Sequence, residues 1–126
     1  VGLSAPAVHD RVGKLEATGV LMGYHAVADP EAIGLGVTAL VGIIQSDTGE
    51  VDDMARALHG LEEVESCYFL AGEESFLIKV RVPAMAELEQ LIIRLNRIPG
   101  VARTRTTVAL STKWEGRPQP GRYVPD

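Results

Sequence analysis

Residues 63–82 constrain the fold of this chain most strongly, because they have the pattern of a β-hairpin. Two runs rich in β-branched and aromatic residues flank a short polar break that contains Gly72. The break also carries Glu73, Glu74 and Ser75, so its tip offers carboxylates and a hydroxyl to a small polar ligand. Turn tips are commonly just solvated, and these residues alone leave both interpretations open.

Strand and helix patterns alternate on both sides of this hairpin. Residues 37–45 form a nearly continuous apolar run, typical of a central strand. Helices are predicted over residues 50–61 and from residue 84 to about 98, where apolar residues recur at helical spacing. A last strand is predicted over residues 101–112. The order β-α-β-β-α-β predicts an α+β, ferredoxin-like fold of four strands with both helices on one face.

The second face of this predicted sheet is mixed in character. On the strand that follows the hairpin turn, one face is apolar and the other carries Ser75, Leu77, Lys79 and Arg81. A face of this composition is expected to pack on a partner subunit or to bind a ligand. We favour a homodimer formed through the sheet.

A separate amphipathic helix is predicted near the start of the chain. Ser4 is a good N-cap, Pro6 lies within the first turn, and Gly19 suits the C-terminal cap. Such a helix cannot bury its apolar stripe alone, so we expect a partner element upstream and interpret the chain as a fragment. The expected organisation is a helical piece and connecting strand over residues 1–28, a hinge at 29–36, the main domain at 37–114 and an extended tail at 115–126.

Composition excludes several classes of function. The net charge of -5 argues against a wholly electrostatic nucleic-acid binder, although it leaves room for a local basic face. Cys67 has no second cysteine to pair with and is predicted to be a small buried hydrophobe. The three histidines lie in different elements without ligand spacing, and no phosphate loop or dinucleotide motif is present. We therefore expect no metal, no cofactor and no catalysis. With neither a membrane-length apolar run nor a signal peptide, the protein is predicted to be cytoplasmic and to have no membrane partner.

Residues 4–21 resemble the recognition helix and exit of the helix-turn-helix in the Lrp/AsnC, or feast/famine, transcription regulators. The β-α-β-β-α-β unit that follows looks like the regulation-of-amino-acid-metabolism (RAM) domain of that family. The marks of the resemblance are Ser4, Val8, Arg11, Val12, Leu15, Glu16, Gly19, Gly23-Tyr24 and Asp29-Pro30, then Val64, Cys67, Gly72, Pro99-Gly100-Val101, Thr104 and Thr106.

This resemblance implies a DNA-binding regulator whose RAM domains dimerise through their sheets and assemble further, commonly into octamers. It implies that an amino acid or similar effector binds between RAM domains. The implied DNA-binding residues are Ser4, Ala5, His9, Arg11 and Lys14, and the implied effector-binding residues are Gly72, Glu73, Glu74, Ser75, Thr104 and Thr106. Many members carry an aspartate near the position of Ser75. Here either Glu73 or Glu74 supplies that charge, or the ligand differs.

Two alternatives belong to other functional classes. A stand-alone RAM or ACT-like amino-acid sensor would lack DNA binding, and the coding sequence upstream of Val1 would distinguish it. A dimeric α/β-barrel enzyme would need a catalytic group in the cavity between the sheets. None of the three histidines lies on a predicted strand of the main domain.

Overall fold

The computed structural model describes residues 29–121, which contain six regular elements. They are β1 (Val37–Gln45), α1 (Val51–His59), β2 (Val64–Phe69), β3 (Phe76–Val82), α2 (Met85–Asn96) and β4 (Val101–Ala109). The order is the predicted β-α-β-β-α-β. These elements lie within one compact unit that ends at Lys113.

The four strands form one antiparallel sheet in the order β2-β3-β1-β4. Strands β1 and β3 are therefore central and β2 and β4 are the edges, and the central position of β1 agrees with its apolar sequence. The ferredoxin-like α+β fold predicted from the sequence is confirmed.

One face of the sheet packs against the helices and forms the core. Alternate residues of β1 and β3 point to this face, and each helix contributes residues at spacings of three or four. Burying each Val, Leu, Ile, Phe or Met side chain of this core stabilises the fold by about 1.5–3 kcal/mol. The fully buried set consists of Ala39, Val41, Ile43, Met54, Leu58, Phe76, Ile78, Val80, Val82, Leu88, Leu91 and Leu95.

The elements end slightly earlier than the periodicity predicts. Helix α1 ends at His59 because Gly60 and Leu61 turn towards β2. Helix α2 ends at Asn96, and the chain reverses through Gly100, whose φ of 96° favours glycine. Strand β4 ends at Ala109, where its pairing with β1 stops at Thr38.

A short turn precedes β1, as predicted from Asp29-Pro30. The Asp29 carboxylate accepts a hydrogen bond of 3.1 Å from the Glu31 N–H, and the Pro30 carbonyl accepts one of 2.6 Å from Leu35. Gly34 closes the turn with a φ of 81°. The helix predicted over residues 4–19 and the strand over 20–28 lie outside the described residues.

The prediction that Cys67 is buried is wrong. Cys67 lies on β2, an edge strand that the helices cover incompletely, and its side chain is exposed. Burial of one side of the thiol still raises its pKa above the ordinary value.

Residues 114–121 contain no helix or strand, and there the Arg117 guanidinium lies 5.4 Å from the ring centre of Trp114.

Candidate functional site

The turn between β2 and β3 is fastened to the end of β1 by Ser75. The Ser75 N–H donates to the Ile43 carbonyl at 2.8 Å, and the Ser75 hydroxyl accepts from the Gln45 N–H at 3.3 Å. The Ser75 carbonyl also accepts from the Leu70 N–H at 2.8 Å. Ser75 therefore acts as the structural anchor of the turn, and its hydroxyl is already engaged.

Glu74, the residue before this anchor, folds back over the open face of the sheet and covers Gly42 of β1. A Cβ atom at Gly42 would lie 2.5 Å from the Glu74 carboxyl carbon and 2.8 and 2.9 Å from its two oxygens. Gly42 is buried for this reason, although it lies on the face without helices. A glycine within a strand often marks such a close approach.

Arg105 of β4 stands directly opposite Gly42 and pairs with the same carboxylate. Its Nη1 lies 3.5 Å from the Glu74 Oε1. Within a single subunit the Glu74 side chain is 25% exposed and that of Arg105 is 62% exposed, so there both charges are accessible to a ligand.

Apolar side chains surround this pair on the open face. Leu40 and Ile44 flank Gly42 along β1, and Leu77 lies across from it on β3. Because Gly42 has no side chain, the carboxylate occupies a depression between these neighbours. An anion and a cation beside an apolar wall match the charges and side chain of an amino acid.

The structure does not bring Thr104 and Thr106 to this depression. They stand opposite Ile43 and Val41, which belong to the core, so they point to the helix-covered face. There the Thr104 hydroxyl accepts a hydrogen bond of 3.1 Å from the Asn96 amide of α2. Gly72 and Glu73 are exposed at the tip of the turn, near Glu74 in the chain.

A second charged cluster lies on the open face towards the other end of β3. The Glu65 carboxylate contacts both Arg81 and Lys79, and its distance to the Lys79 Nζ is 3.4 Å. The Arg81 guanidinium also donates to the Thr38 hydroxyl at 2.9 Å. The Arg81 and Lys79 side chains are 13% and 20% exposed, so this cluster forms an ordered part of the face.

Other kinds of site receive no support from residues 29–121. Within that range no group of three or more His, Cys, Asp or Glu side chains could hold a metal ion. No helix in the described part of the chain is both long and apolar enough to cross a membrane. The predicted DNA-binding residues Ser4, Ala5, His9, Arg11 and Lys14 lie outside the described residues.

Reasoning from the sequence missed Gly42 and Arg105. One signal was available for Gly42, because a single glycine inside an apolar strand indicates a bulge or a close approach. Arg105 carried no comparable signal, since its pairing depends on the register between β1 and β4.

Comparison with known proteins agrees with this architecture. Residues 38–119 match the profile described as the Lrp/AsnC ligand binding domain. The HTH-type transcriptional regulator LrpA of Mycobacterium tuberculosis is 45% identical over 116 residues, which cover 92% of this chain and 77% of that protein.

Two solved structures with L-methionine are also similar. One is a feast or famine regulatory protein from M. tuberculosis, 44% identical with a TM-score of 0.77, where the match covers 94% of this chain and 80% of that one. The other is the transcriptional regulator NMB0573 from Neisseria meningitidis, 25% identical with a TM-score of 0.79, covering 94% and 78%.

The relatives are named as regulators of transcription and not as enzymes, which confirms the interpretation of the chain as a regulator. The family profile covers well over half of the sequence, and the similarity to LrpA extends over most of both proteins. This chain belongs to the Lrp/AsnC family of transcriptional regulators.

Proposed function

We propose that this regulator responds to an amino acid or a similar small effector, whose ammonium group is bound by Glu74. The observation that carries the proposal is the position of the Glu74 carboxylate on the open face, beside apolar side chains and 25% exposed. The L-methionine complexes of the two similar regulators support an amino acid as the effector class.

The choice between the two adjacent glutamates follows from their surroundings. Glu74 lies over Gly42 and contacts a second element, whereas Glu73 is exposed at the tip of the turn. A carboxylate held against the sheet loses less conformational entropy on binding a ligand than a freely rotating one. We assign the ammonium contact to Glu74, with Gly72, Glu73 and Ser75 shaping the turn around it.

Thr104 and Thr106 are not expected to contact an effector that is bound by Glu74 of the same subunit. They point to the helix-covered face and Glu74 points to the open face. Their predicted role would require that the effector bind elsewhere or lie at a contact between subunits.

The open face is the proposed surface for dimerisation. It exposes Leu40 and Tyr68, which are 40% and 57% accessible, next to the ordered cluster around Glu65. Apolar groups beside fixed charges are typical of an interface between subunits. We propose a homodimer through this face and, from the family resemblance, further assembly of dimers into an octamer.

DNA is the proposed target of the regulator. The family assignment and the helix predicted over residues 4–19 support this proposal. We propose that the bases or sugars of DNA are approached by Ser4, Ala5 and His9. The phosphates are contacted by Arg11 and Lys14. A regulator of this kind acts in the cytoplasm, where bacterial and archaeal DNA is found.

The effector proposal can be tested by thermal shift and calorimetry with the twenty amino acids. At least one at millimolar concentration should raise the melting temperature, because a ligand at 100 times its Kd stabilises the folded state by about 2.7 kcal/mol. Glu74→Gln should abolish the shift, and Glu73→Gln, a matched change at the neighbouring residue, should retain it. A parent protein that no amino acid stabilises would contradict the proposal.

A further inference from the structure

We infer that Arg105 binds the carboxylate of the effector, and that its contact with Glu74 over Gly42 is a resting contact that the effector replaces. This inference rests on the proposed function, since it names the second charge-recognising residue of the same site. Neither Arg105 nor Gly42 is among the residues predicted from the sequence or from the family resemblance.

The geometry of the pair formed by Arg105 and Glu74 suits an α-amino acid. The Arg105 Nη1 and the Glu74 Oε1 are 3.5 Å apart, above a residue without a side chain. The ammonium and carboxylate of an α-amino acid are joined through a single carbon atom. One amino acid can therefore bind the Glu74 carboxylate through its ammonium group and the Arg105 guanidinium through its carboxylate. The contact between Glu74 and Arg105 is then replaced by two contacts with the ligand.

Opening the ion pair between Arg105 and Glu74 costs little free energy. Within a single subunit Arg105 is 62% exposed, and an ion pair so accessible to water contributes little to the stability of the subunit fold. A bound ligand would exclude part of that water and strengthen the charge-assisted contacts it makes. The exchange is thus favoured by ligand binding and is not blocked by the fold.

The guanidinium group of Arg105 is well suited to bind a carboxylate. Its planar fork can donate two parallel hydrogen bonds to a carboxylate, which gives orientation as well as charge. Arg103 lies two residues earlier on the same strand, opposite Ile44. Glu74 forms its ion pair with Arg105 and not with Arg103. Arg103 therefore has the same charge and strand but a different register position.

The third member of the arrangement is Gly42, whose lack of a side chain makes room for the Glu74 carboxylate above β1. The atoms nearest to a Cβ placed at this position are the carboxyl carbon and the two oxygens at the end of the flexible Glu74 side chain. Gly42→Ala should consequently fold, because Glu74 can move aside and alanine suits a strand better than glycine. The added methyl group would still occupy the floor of the site.

The test compares L-methionine with L-methioninamide, which keeps the ammonium and side chain but has no carboxylate. Titration calorimetry of the 126-residue chain at about pH 6 keeps the amino group of both compounds protonated. The amino acid that gives the largest thermal shift is titrated in parallel with its own carboxamide.

We expect the parent to prefer methionine by at least about tenfold, as a charge-assisted pair contributes roughly that discrimination. Arg105→Gln should reduce the preference to less than about threefold, and the matched variant Arg103→Gln should retain it. Gly42→Ala should weaken the binding of both compounds by at least about tenfold. Melting curves establish that each variant is folded.

The outcomes separate the inference from the function on which it rests. A parent that binds methionine and keeps its full preference in Arg105→Gln would overturn the role of Arg105 and leave the effector site in place. If Gly42→Ala binds both compounds with unchanged affinity, the ligand does not bind in the depression over Gly42. A parent that binds no amino acid would refute the proposed function, and the inference with it.

Discussion

Ser75 and Gln45 lie 30 residues apart in the sequence, yet the Ser75 hydroxyl accepts a hydrogen bond of 3.3 Å from the Gln45 backbone N–H. This contact links the turn at residues 72–75 to the last residue of β1. It holds in place the segment that positions Glu74 over Gly42, so the stability of the turn and the geometry of the site depend on the same side chain.

Ser75→Ala should lower the free energy of unfolding by about 1 kcal/mol, because the partly buried Gln45 N–H loses its acceptor. Urea denaturation measures this change. Ser111→Ala removes a hydroxyl at an exposed position after β4 and should leave stability within about 0.5 kcal/mol of the parent. Equal stability of the two variants would show that the Ser75 contact contributes nothing.

The ion pair between Glu63 and Arg94 predicts a dependence of stability on pH. Burial raises the pKa of the Glu63 carboxyl, but its hydrogen bond and charge interaction with Arg94 outweigh burial and leave the pKa below the ordinary value. A lowered pKa in the folded state means that the pair stabilises the fold above the unfolded-state pKa and loses this effect as pH falls through the folded one.

Glu63→Gln should therefore be less stable than the parent at pH 7 by roughly 0.2–1 kcal/mol, the range of accessible ion pairs. The difference should diminish as pH falls from the ordinary pKa of a glutamate, about 4.3, through the lower pKa of Glu63 in the folded state, below which the carboxyl is protonated in both states. Denaturation curves at several pH values measure it, with Glu62→Gln, a change at the neighbouring exposed residue, as the control. A difference that does not depend on pH would contradict the assigned role of the charge.

Gly100 provides a test of backbone conformation at the end of α2. Its φ of 96° is unfavourable for residues with a side chain, and a Cβ there would lie 3.3 Å from the Met54 Cε. Gly100→Ala should lower stability by about 1–2 kcal/mol. Gly36→Ala, where a Cβ meets nothing within 4 Å, should be neutral or stabilise slightly. Thermal melts should thus show a lowered melting temperature for Gly100→Ala and an unchanged or slightly raised one for Gly36→Ala.

The proposed homodimer predicts that a charge on the open face weakens association. Leu40→Asp should raise the dissociation constant at least about tenfold, because the carboxylate would lose hydration at the interface. Ile93→Asp on helix α2 is the matched change, since Ile93 is 37% and Leu40 is 40% exposed. Sedimentation equilibrium should show weakened dimers only for Leu40→Asp. The same loss in both variants would argue against the open face as the interface.

The sequence determined the order and type of the described elements because local periodicity reflects which face of each element is buried. The apolar run of β1, the alternation in β3 and the spacing of Leu88, Leu91 and Leu95 each predicted the observed element. The resemblance to the Lrp/AsnC family also depended on residues visible in the sequence, and the family assignment is confirmed.

Only the tertiary structure decided which side chains meet at the candidate site. The hydroxyls of Thr104 and Thr106 looked suited to a ligand, but the register of β4 against β1 directs them to the helices. The same register places Arg105 beside Gly42, and the β2–β3 turn brings Glu74 over both. A shift of one residue in strand pairing reverses the face of every side chain, so no local pattern could specify this meeting.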